Sequence, residues 1–296
     1  MLTLLLLACQ PKPADGATPA PAPLPAEFWA TWGDGKAELA SYDLAQPRYG
    51  ALRKGTAVAI FVTEDFSYEA RIKADPGAHP DGDIRKVMKL NLTRDFQTGI
   101  YPYHVMTSTF LRLEPGDGMA TTDPLKMTTS VQEWCGHVLD RWIPSPGKLS
   151  THQETYFDSD DAHGNGNPPA SLRIPGGTIY GDALPILVRE LGGPWIPQGE
   201  SRQFAYVPRQ IDLRFSHTEP TVGSVTVTRT AEGFTAAISG GETFTFLVDP
   251  AWPHHLRGWS STSGESATLR AVDRLPYWSL NGPGDEAYRE KIGLGG

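Results

Sequence analysis

The chain has 296 residues and a formal net charge of −8 at pH 7. An acidic chain without a block of lysine and arginine is not expected to bind nucleic acid or to dock electrostatically on anionic lipid. Its 31 glycines and 26 prolines, together with only 20% charged residues, favour short strands and turns over long helices.

The first nine residues are typical of the end of a bacterial lipoprotein signal peptide. An apolar run ends in Leu6-Leu7-Ala8-Cys9, the residue order at which lipoprotein signal peptidase cuts. We therefore expect residues 1–9 to be a signal peptide ending at Cys9, the lipidated residue. Because a transmembrane helix needs about 20 apolar residues, we expect the lipid to be the only membrane attachment.

Residues 10–27 predict a tether. This stretch interleaves proline with alanine, a composition that cannot bury apolar area and is expected to stay extended. By similarity to other lipoproteins, Gln10 rather than aspartate after the lipidated cysteine implies the outer membrane, with the body facing the periplasm. If Cys9 carries lipid, Cys135 has no partner for an intramolecular disulfide, because the chain has only two cysteines.

Residues 28–296 are the predicted body, expected to be one β-rich domain, with a subdivision near 158–181 as the alternative. Short β-branched or aromatic runs between turn signals predict its strands. In chain order, the predicted strands are 38–44, 56–63, 86–92, 99–113, 126–142, 148–157, 224–229, 234–238 and 243–248. Their hairpin-length connections favour antiparallel meanders.

One helix is predicted between the two meanders, near residues 182–192. Asp182 is placed to cap its N-terminus, Pro185 lies in its first turn, and Gly192-Gly193 ends it. The fold class is therefore predicted as mostly β. We expect either one curved antiparallel sheet of half-barrel form or two packed sheets, with this helix against one face.

A glutamate, a cysteine and a histidine alternate at Glu133, Cys135 and His137 within the predicted strand 126–142, so they are expected on one face. In one hypothesis, Cys135 is a catalytic nucleophile activated by His137, with Glu133 orienting the imidazole. In a second, the three residues hold zinc, but no second metal-spaced pair supports this, and no metal site is assigned. In the third, Cys135 is a small buried residue in a concave sheet.

An apolar ligand groove is the other candidate site. Tyr101 and Tyr103 belong to a Tyr-Pro-Tyr-His segment, Glu64 ends a strand at a potential pocket mouth, and Tyr42 lies on the first predicted strand. We assign these four residues to ligand binding, with the alternative that scattered aromatic residues form the core. No cofactor is expected. The chain lacks a Gly-rich phosphate loop, a Gly-x-Ser-x-Gly elbow and a His-Glu-x-x-His helix, which argues against the commonest nucleotide-binding, serine-hydrolase and metalloprotease functions.

Several segments resemble a family of uncharacterised bacterial envelope lipoproteins. They are Gly35-Lys36-Ala37-Glu38 leading to Tyr42, Arg48-Tyr49-Gly50, Val62-Thr63-Glu64-Asp65-Phe66, Thr98-Gly99-Ile100-Tyr101-Pro102-Tyr103 and Ser130-Val131-Gln132-Glu133-Trp134-Cys135-Gly136-His137. Members are often labelled "septum formation inhibitor Maf". The proteins properly given that name are cytoplasmic α/β nucleotide pyrophosphatases, and the export signal and β content predicted for this chain do not fit them. The layout is also similar to the lipoprotein carriers LolA and LolB, which implies a concave sheet able to hold acyl chains.

The sequence thus predicts an outer-membrane-anchored periplasmic lipoprotein that binds an apolar small molecule, a lipid or an envelope protein in a concave β surface. One alternative is an envelope enzyme that uses Cys135 and His137 for acyl transfer or hydrolysis. The other is a structural component of the envelope.

Overall fold

A computed structural model describes residues 24–157 and 170–295 of the chain. The predicted signal peptide with Cys9, most of the predicted tether and the loop at 158–169 lie outside the described residues. The described strands are β1 Ala37–Arg48, β2 Ala51–Ser67, β3 Ile72–Lys73, β4 Ile84–Thr98, β5 Tyr101–Arg112, β6 Pro124–Glu133, β7 Gly136–Ser145, β8 Lys148–Thr155, β9 Ala170–Arg173, β10 Ile179–Tyr180, β11 Ser201–Val207, β12 Gly223–Thr230, β13 Gly233–Ile238, β14 Thr243–Val248, β15 Leu256–Ser261 and β16 Ser266–Leu275. The described helices are α1 Ala26–Trp32, α2 Leu184–Leu187, α3 Gln210–Ser216 and α4 Tyr288–Lys291.

All sixteen described strands belong to one open, curved sheet in the order β10-β11-β12-β13-β14-β15-β16-β1-β2-β4-β5-β6-β7-β8-β9, with β3 paired to β2. Every pairing among them is antiparallel except that of β10 with β11. The N-terminal and C-terminal meanders join where β16 pairs with β1, from Ala37 opposite Leu275 to Ala45 opposite Ser266. The prediction of a mostly β fold with a curved antiparallel sheet is confirmed.

The main core lies on the concave face of the sheet. Strand alternation places every second residue there, so that Met88, Leu90, Leu92 and Phe96 of β4 all belong to one large buried cluster. The convex face carries two small clusters. One is Ala37, Leu39 and Val62 under Ile292, and the other is Phe66, Val87, Met119 and Leu125. The bulk of the apolar burial is therefore on the concave side.

The concave face is partly filled by residues 179–191, here called the plug. It starts at β10, passes through a 3₁₀ turn at Gly181–Ala183 and α2, and continues in turns to Leu191. The residues it buries are Ile179, Tyr180, Ala183, Leu184, Ile186, Leu187, Val188 and Leu191. A Cβ on Gly181 would lie 2.5 Å from Tyr206 Oη and 2.9 Å from the Arg209 amide nitrogen, so this close approach requires glycine.

The plug is the helix predicted near 182–192, with two differences. The α-helix covers only Leu184–Leu187, and Asp182 does not cap it, because its carboxylate accepts a hydrogen bond from the Gln210 amide at 3.0 Å instead. Packing against the sheet and a neighbouring element has replaced the local capping contact.

The prediction of one continuous strand over residues 126–142 is wrong. Strands β6 and β7 form a hairpin there, which turns at Trp134 and Cys135. Trp-Cys lacks the Asn-Gly or Asp-Gly signature of two-residue hairpin turns, so nothing in the sequence interrupts the period-2 alternation at this turn.

The described chain begins at Leu24, and α1 starts at Ala26, so the predicted tether boundary at residue 27 falls inside a helix. No helix within residues 24–157 and 170–295 is long and apolar enough to cross a membrane.

Candidate ligand-binding site on the concave face

A small cavity lies between the plug and the sheet. Its volume is about 20 Å³, which is enough for one water molecule and too small for an organic ligand. The apolar residues that line it are Leu90, Leu92, Leu184, Pro185, Phe244, Phe246 and Trp259, and the polar ones are Arg94, Thr107, Thr109, Asp182 and Arg209. The cavity therefore combines a mostly apolar wall with a few polar groups, the usual composition of a ligand pocket.

An open groove of about 270 Å³ lies beside the plug at the end of the sheet where the chain enters at Leu24. Its apolar lining is Leu24, Met88, Leu111, Leu113, Ile186, Leu187, Leu191, Pro194 and Trp195, and Arg112 and Glu190 are its charged residues. This apolar opening is large enough for several methylene groups, whereas the cavity is not.

The groove and the cavity follow one another along the same two strands. In the register of β4 with β5, Met88 lies opposite Leu111 in the groove, and Leu90 lies opposite Thr109 in the cavity. Alternate concave positions of β4 thus lead from the groove into the cavity. The plug covers the boundary, because Leu184 lines the cavity and Ile186 lines the groove.

An ion cluster adjoins the cavity through Arg209, with Glu265 buried and the Asp212 side chain 32% exposed. Arg209 pairs with both oxygens of Glu265 at 3.0 and 2.7 Å and with both oxygens of Asp212 at 2.7 Å. Trp259 Nε1 donates a further hydrogen bond to Glu265 at 2.6 Å. Burial alone would raise the pKa of Glu265, but the charges of Arg209 and Arg94 and these hydrogen bonds lower it from 4.5 to about 2. Glu265 is therefore ionised.

Arg94 belongs to the same cluster but is poorly paired. Its side chain is 3% exposed, and its closest described counter-ion contact is Glu265 at 3.7 Å, longer than a hydrogen bond. Its Nε has no hydrogen-bond partner among the described residues. Burial lowers the pKa of Arg94, the direction expected when desolvation of a cation is incompletely compensated.

Two sets of polar contacts hold the plug. Near the cavity, the Asp182 carbonyl accepts a hydrogen bond from Thr109 at 3.1 Å, and burial raises the pKa of the Asp182 carboxyl from 3.8 to about 6. At the other end, Arg189 donates two hydrogen bonds to Glu38 at 2.8 and 2.9 Å, and both side chains are almost completely buried. The Arg189–Glu38 pair is therefore a strong anchor of the plug, whereas the contacts near the cavity include the Asp182 carboxyl, whose ionisation is disfavoured by burial.

The four ligand-binding residues predicted from sequence are not brought together. Tyr42 is fully buried in the core, where it contacts Trp259 at a ring distance of 5.0 Å, and Glu64 pairs with Lys89. Tyr101 and Tyr103 are neighbours with ring centroids 5.9 Å apart, in an aromatic cluster with Arg48 at the far rim of the sheet. Tyr42 and Tyr103 both belong to the main core, as in the alternative in which scattered aromatic residues form the core, and neither lines the cavity.

The Glu133, Cys135 and His137 constellation is not on one strand face, because Cys135 lies in the exposed turn between β6 and β7. Glu133 accepts a hydrogen bond from the Cys135 amide at 2.8 Å, and hydrogen bonding to Glu133 raises the pKa of the thiol. A carboxylate next to a thiol disfavours the thiolate, which is the opposite of nucleophile activation. The expectation that Cys135 is buried is also wrong.

No group of three or more histidine, cysteine, aspartate and glutamate residues placed to hold a metal ion occurs within residues 24–157 and 170–295. No protein-family model, curated protein or solved structure matches this chain. The function of the protein is therefore inferred from the residues of its concave face.

Proposed function

We propose that the protein binds the acyl chain of a lipid on its concave face, in the path that leads from the groove into the cavity. The observation that carries the proposal is that residues lining the groove and the cavity occupy successive concave positions of β4 and β5, with apolar residues in both spaces. An extended apolar path with few polar groups suits a linear chain better than a compact solute.

Binding along the whole path requires the plug to move, because the cavity holds only about 20 Å³. Five buried aliphatic side chains of the plug would lose contacts, namely Leu184, Ile186, Leu187, Val188 and Leu191. Burying such a side chain contributes about 2 kcal/mol, and burying a methylene contributes ~0.8 kcal/mol. A ligand that compensates for the lost burial of these five side chains therefore needs roughly a dozen buried methylenes. This requirement favours long-chain lipids over short ones.

The proposal includes the sequence-based location. Cys9 anchors the protein by lipid, and residues 10–23 connect it to the described body at Leu24, which holds the concave face near the outer membrane on the periplasmic side. The end of the body that carries the groove is then the end nearest the anchor, because Leu24 lines the groove. No observation on the described residues favours the enzyme alternative.

Filling the groove should weaken binding. Thr122 lines the groove from a turn between β5 and β6, so Thr122→Trp adds an indole there without altering a strand. Since overpacking costs about 1–3 kcal/mol, we expect hexadecanoate to bind about 5-fold to 150-fold less tightly, as measured by tryptophan fluorescence titration of the full chain.

The matched control is Thr262→Trp, which places the same side chain in the exposed turn between β15 and β16. This variant should bind hexadecanoate as the native protein does. Equal weakening by both variants would contradict the groove as the binding site. Absence of saturable binding of hexadecanoate, hexadecyl phosphate and hexadecanol alike to the native chain would contradict the proposed function.

A further inference from the structure

We infer that the lipid bound on the concave face is a single-chain amphiphile with an anionic head group, and that Arg94 binds this head. The inference rests on the proposed function and adds the chemical class of the ligand. It also assigns an orientation, with the head at Arg94 and the acyl chain directed along β4 towards the groove.

The first argument is the missing partner of Arg94. A guanidinium has five N–H donors and no acceptor, and a buried charge is stable only when it is paired and hydrogen-bonded. Glu265 is the nearest described carboxylate, but both of its oxygens already accept hydrogen bonds from Arg209. Arg94 therefore remains a buried cation with unused donors on the wall of an apolar cavity, where an anionic group would satisfy it.

The second argument is the position of Arg94 on the path. The concave positions of β4 run Met88, Leu90, Leu92, Arg94, so the guanidinium follows directly after three apolar side chains. Arg94 follows Met88 by six residue steps along the strand, which corresponds to about 20 Å. A long acyl chain with its head at Arg94 would therefore reach the groove, where the space is about 270 Å³.

The third argument is the position of Asp182. Asp182 of the plug lines the same cavity as Arg94, and the two side chains interact electrostatically. When the plug moves away, the Asp182 carboxylate leaves with it, so Arg94 loses one of the carboxylates that attract it, and an anionic head group is no longer repelled by Asp182. The head group of an anionic ligand replaces that charge, whereas a neutral head group does not.

The test compares three ligands that share one chain and differ in the head group: hexadecanoate, hexadecyl phosphate and hexadecanol. Each is titrated into the full native chain and into Arg94→Gln, below the concentration at which the ligand forms micelles. The control is Arg270→Gln, because Arg270 pairs with Asp43 away from the cavity. Thermal unfolding of each variant shows that it is folded.

We expect the native chain to bind one or both anionic ligands at least tenfold more tightly than hexadecanol. A charge-assisted hydrogen bond is worth about 1.5–3 kcal/mol, so Arg94→Gln should lose roughly 10-fold to 150-fold in affinity for the anionic ligands and remain unchanged for hexadecanol. The order of hexadecanoate and hexadecyl phosphate identifies a carboxylate or a phosphate head.

Equal affinity of the native chain for all three ligands would overturn the inference while leaving the proposed function intact. Equal loss of hexadecanol and hexadecanoate binding in Arg94→Gln would also overturn it, because Arg94 would then support the cavity wall without selecting a head group. Absence of binding of all three ligands to the native chain would overturn the proposed function itself.

Discussion

Replacing Arg189 by methionine should lower the free energy of unfolding by about 3–5 kcal/mol, because it leaves Glu38 buried without its main partner. Arg189 makes two hydrogen bonds to Glu38 and one each to the carbonyl oxygens of Pro253 and His254. The contact joins the plug to β1 and to the segment before β15. Chemical denaturation of the full chain measures the loss.

The same ion pair should make stability depend on pH. Burial would raise the pKa of Glu38, but the charge of Arg189, the contact of His255 Nδ1 at 3.1 Å and the two hydrogen bonds from Arg189 lower it from 4.5 to about 2. A carboxyl with a lowered folded pKa stabilises the protein above its unfolded pKa and loses that contribution as the pH falls from about 4.5 towards 2. The shift corresponds to roughly 3 kcal/mol at neutral pH.

Arg270→Met is the matched control, because Arg270 also pairs with one carboxylate, that of Asp43, but at the surface, where such pairs contribute little. The double variant Glu38→Gln with Arg189→Met should lose less stability than the two single losses added together. Additive losses, or an Arg189→Met variant as stable as Arg270→Met, would contradict the role of this pair as the anchor of the plug.

The Asp182→Asn substitution should have the opposite sign and stabilise the protein at neutral pH. Burial raises the pKa of Asp182 to about 6, so ionising this carboxyl above that pH destabilises the folded state. A raised folded pKa favours the folded state at acid pH, and this advantage disappears as the pH rises from about 4 to about 6. Asparagine retains an oxygen that can accept the hydrogen bond from the Gln210 amide.

We expect Asp182→Asn to be more stable than the native chain by roughly 1–3 kcal/mol at pH 7.5, with the difference vanishing near pH 4. Asp75→Asn, an exposed carboxyl in the loop between β3 and β4, should leave the denaturation midpoint unchanged at both pH values. Because the cost of ionisation is relieved when the plug leaves the cavity, Asp182→Asn should also weaken hexadecanol binding by the same factor. An Asp182→Asn variant less stable than the native protein at pH 7.5 would refute the assignment.

The sequence predicted the fold class because strand alternation and turn residues are local signals. The clearest cases are β13 and β14, whose predicted bounds reach the observed end of each strand. By contrast, β16 was missed, because most of its residues are only partly buried and it lacks a one-sided apolar pattern. Its place in the sheet depends on pairing with β1, more than 200 residues earlier in the chain, which no local pattern encodes.

The candidate site was less predictable, although one signal was present. In β4, Leu90, Leu92 and Phe96 alternate on the concave face, and Arg94 occupies a position of the same face. A charged residue within the apolar face of a strand indicates a buried polar site. Glu265 and Arg209 gave no such signal, because each lies at the end of an element and becomes buried only when distant strands curve around the plug.

The most direct test of the central claim is photochemical labelling of the full chain with a hexadecanoate that carries a diazirine in the middle of its chain. Lipid binding along the concave face predicts saturable labelling of Met88, Leu90, Leu92 and the plug, identified by mass spectrometry of peptides and suppressed by excess unlabelled hexadecanoate. Labelling confined to the exposed aromatic residues Tyr49, Trp134 and Tyr156 at the far rim, or labelling that excess hexadecanoate does not suppress, would contradict it.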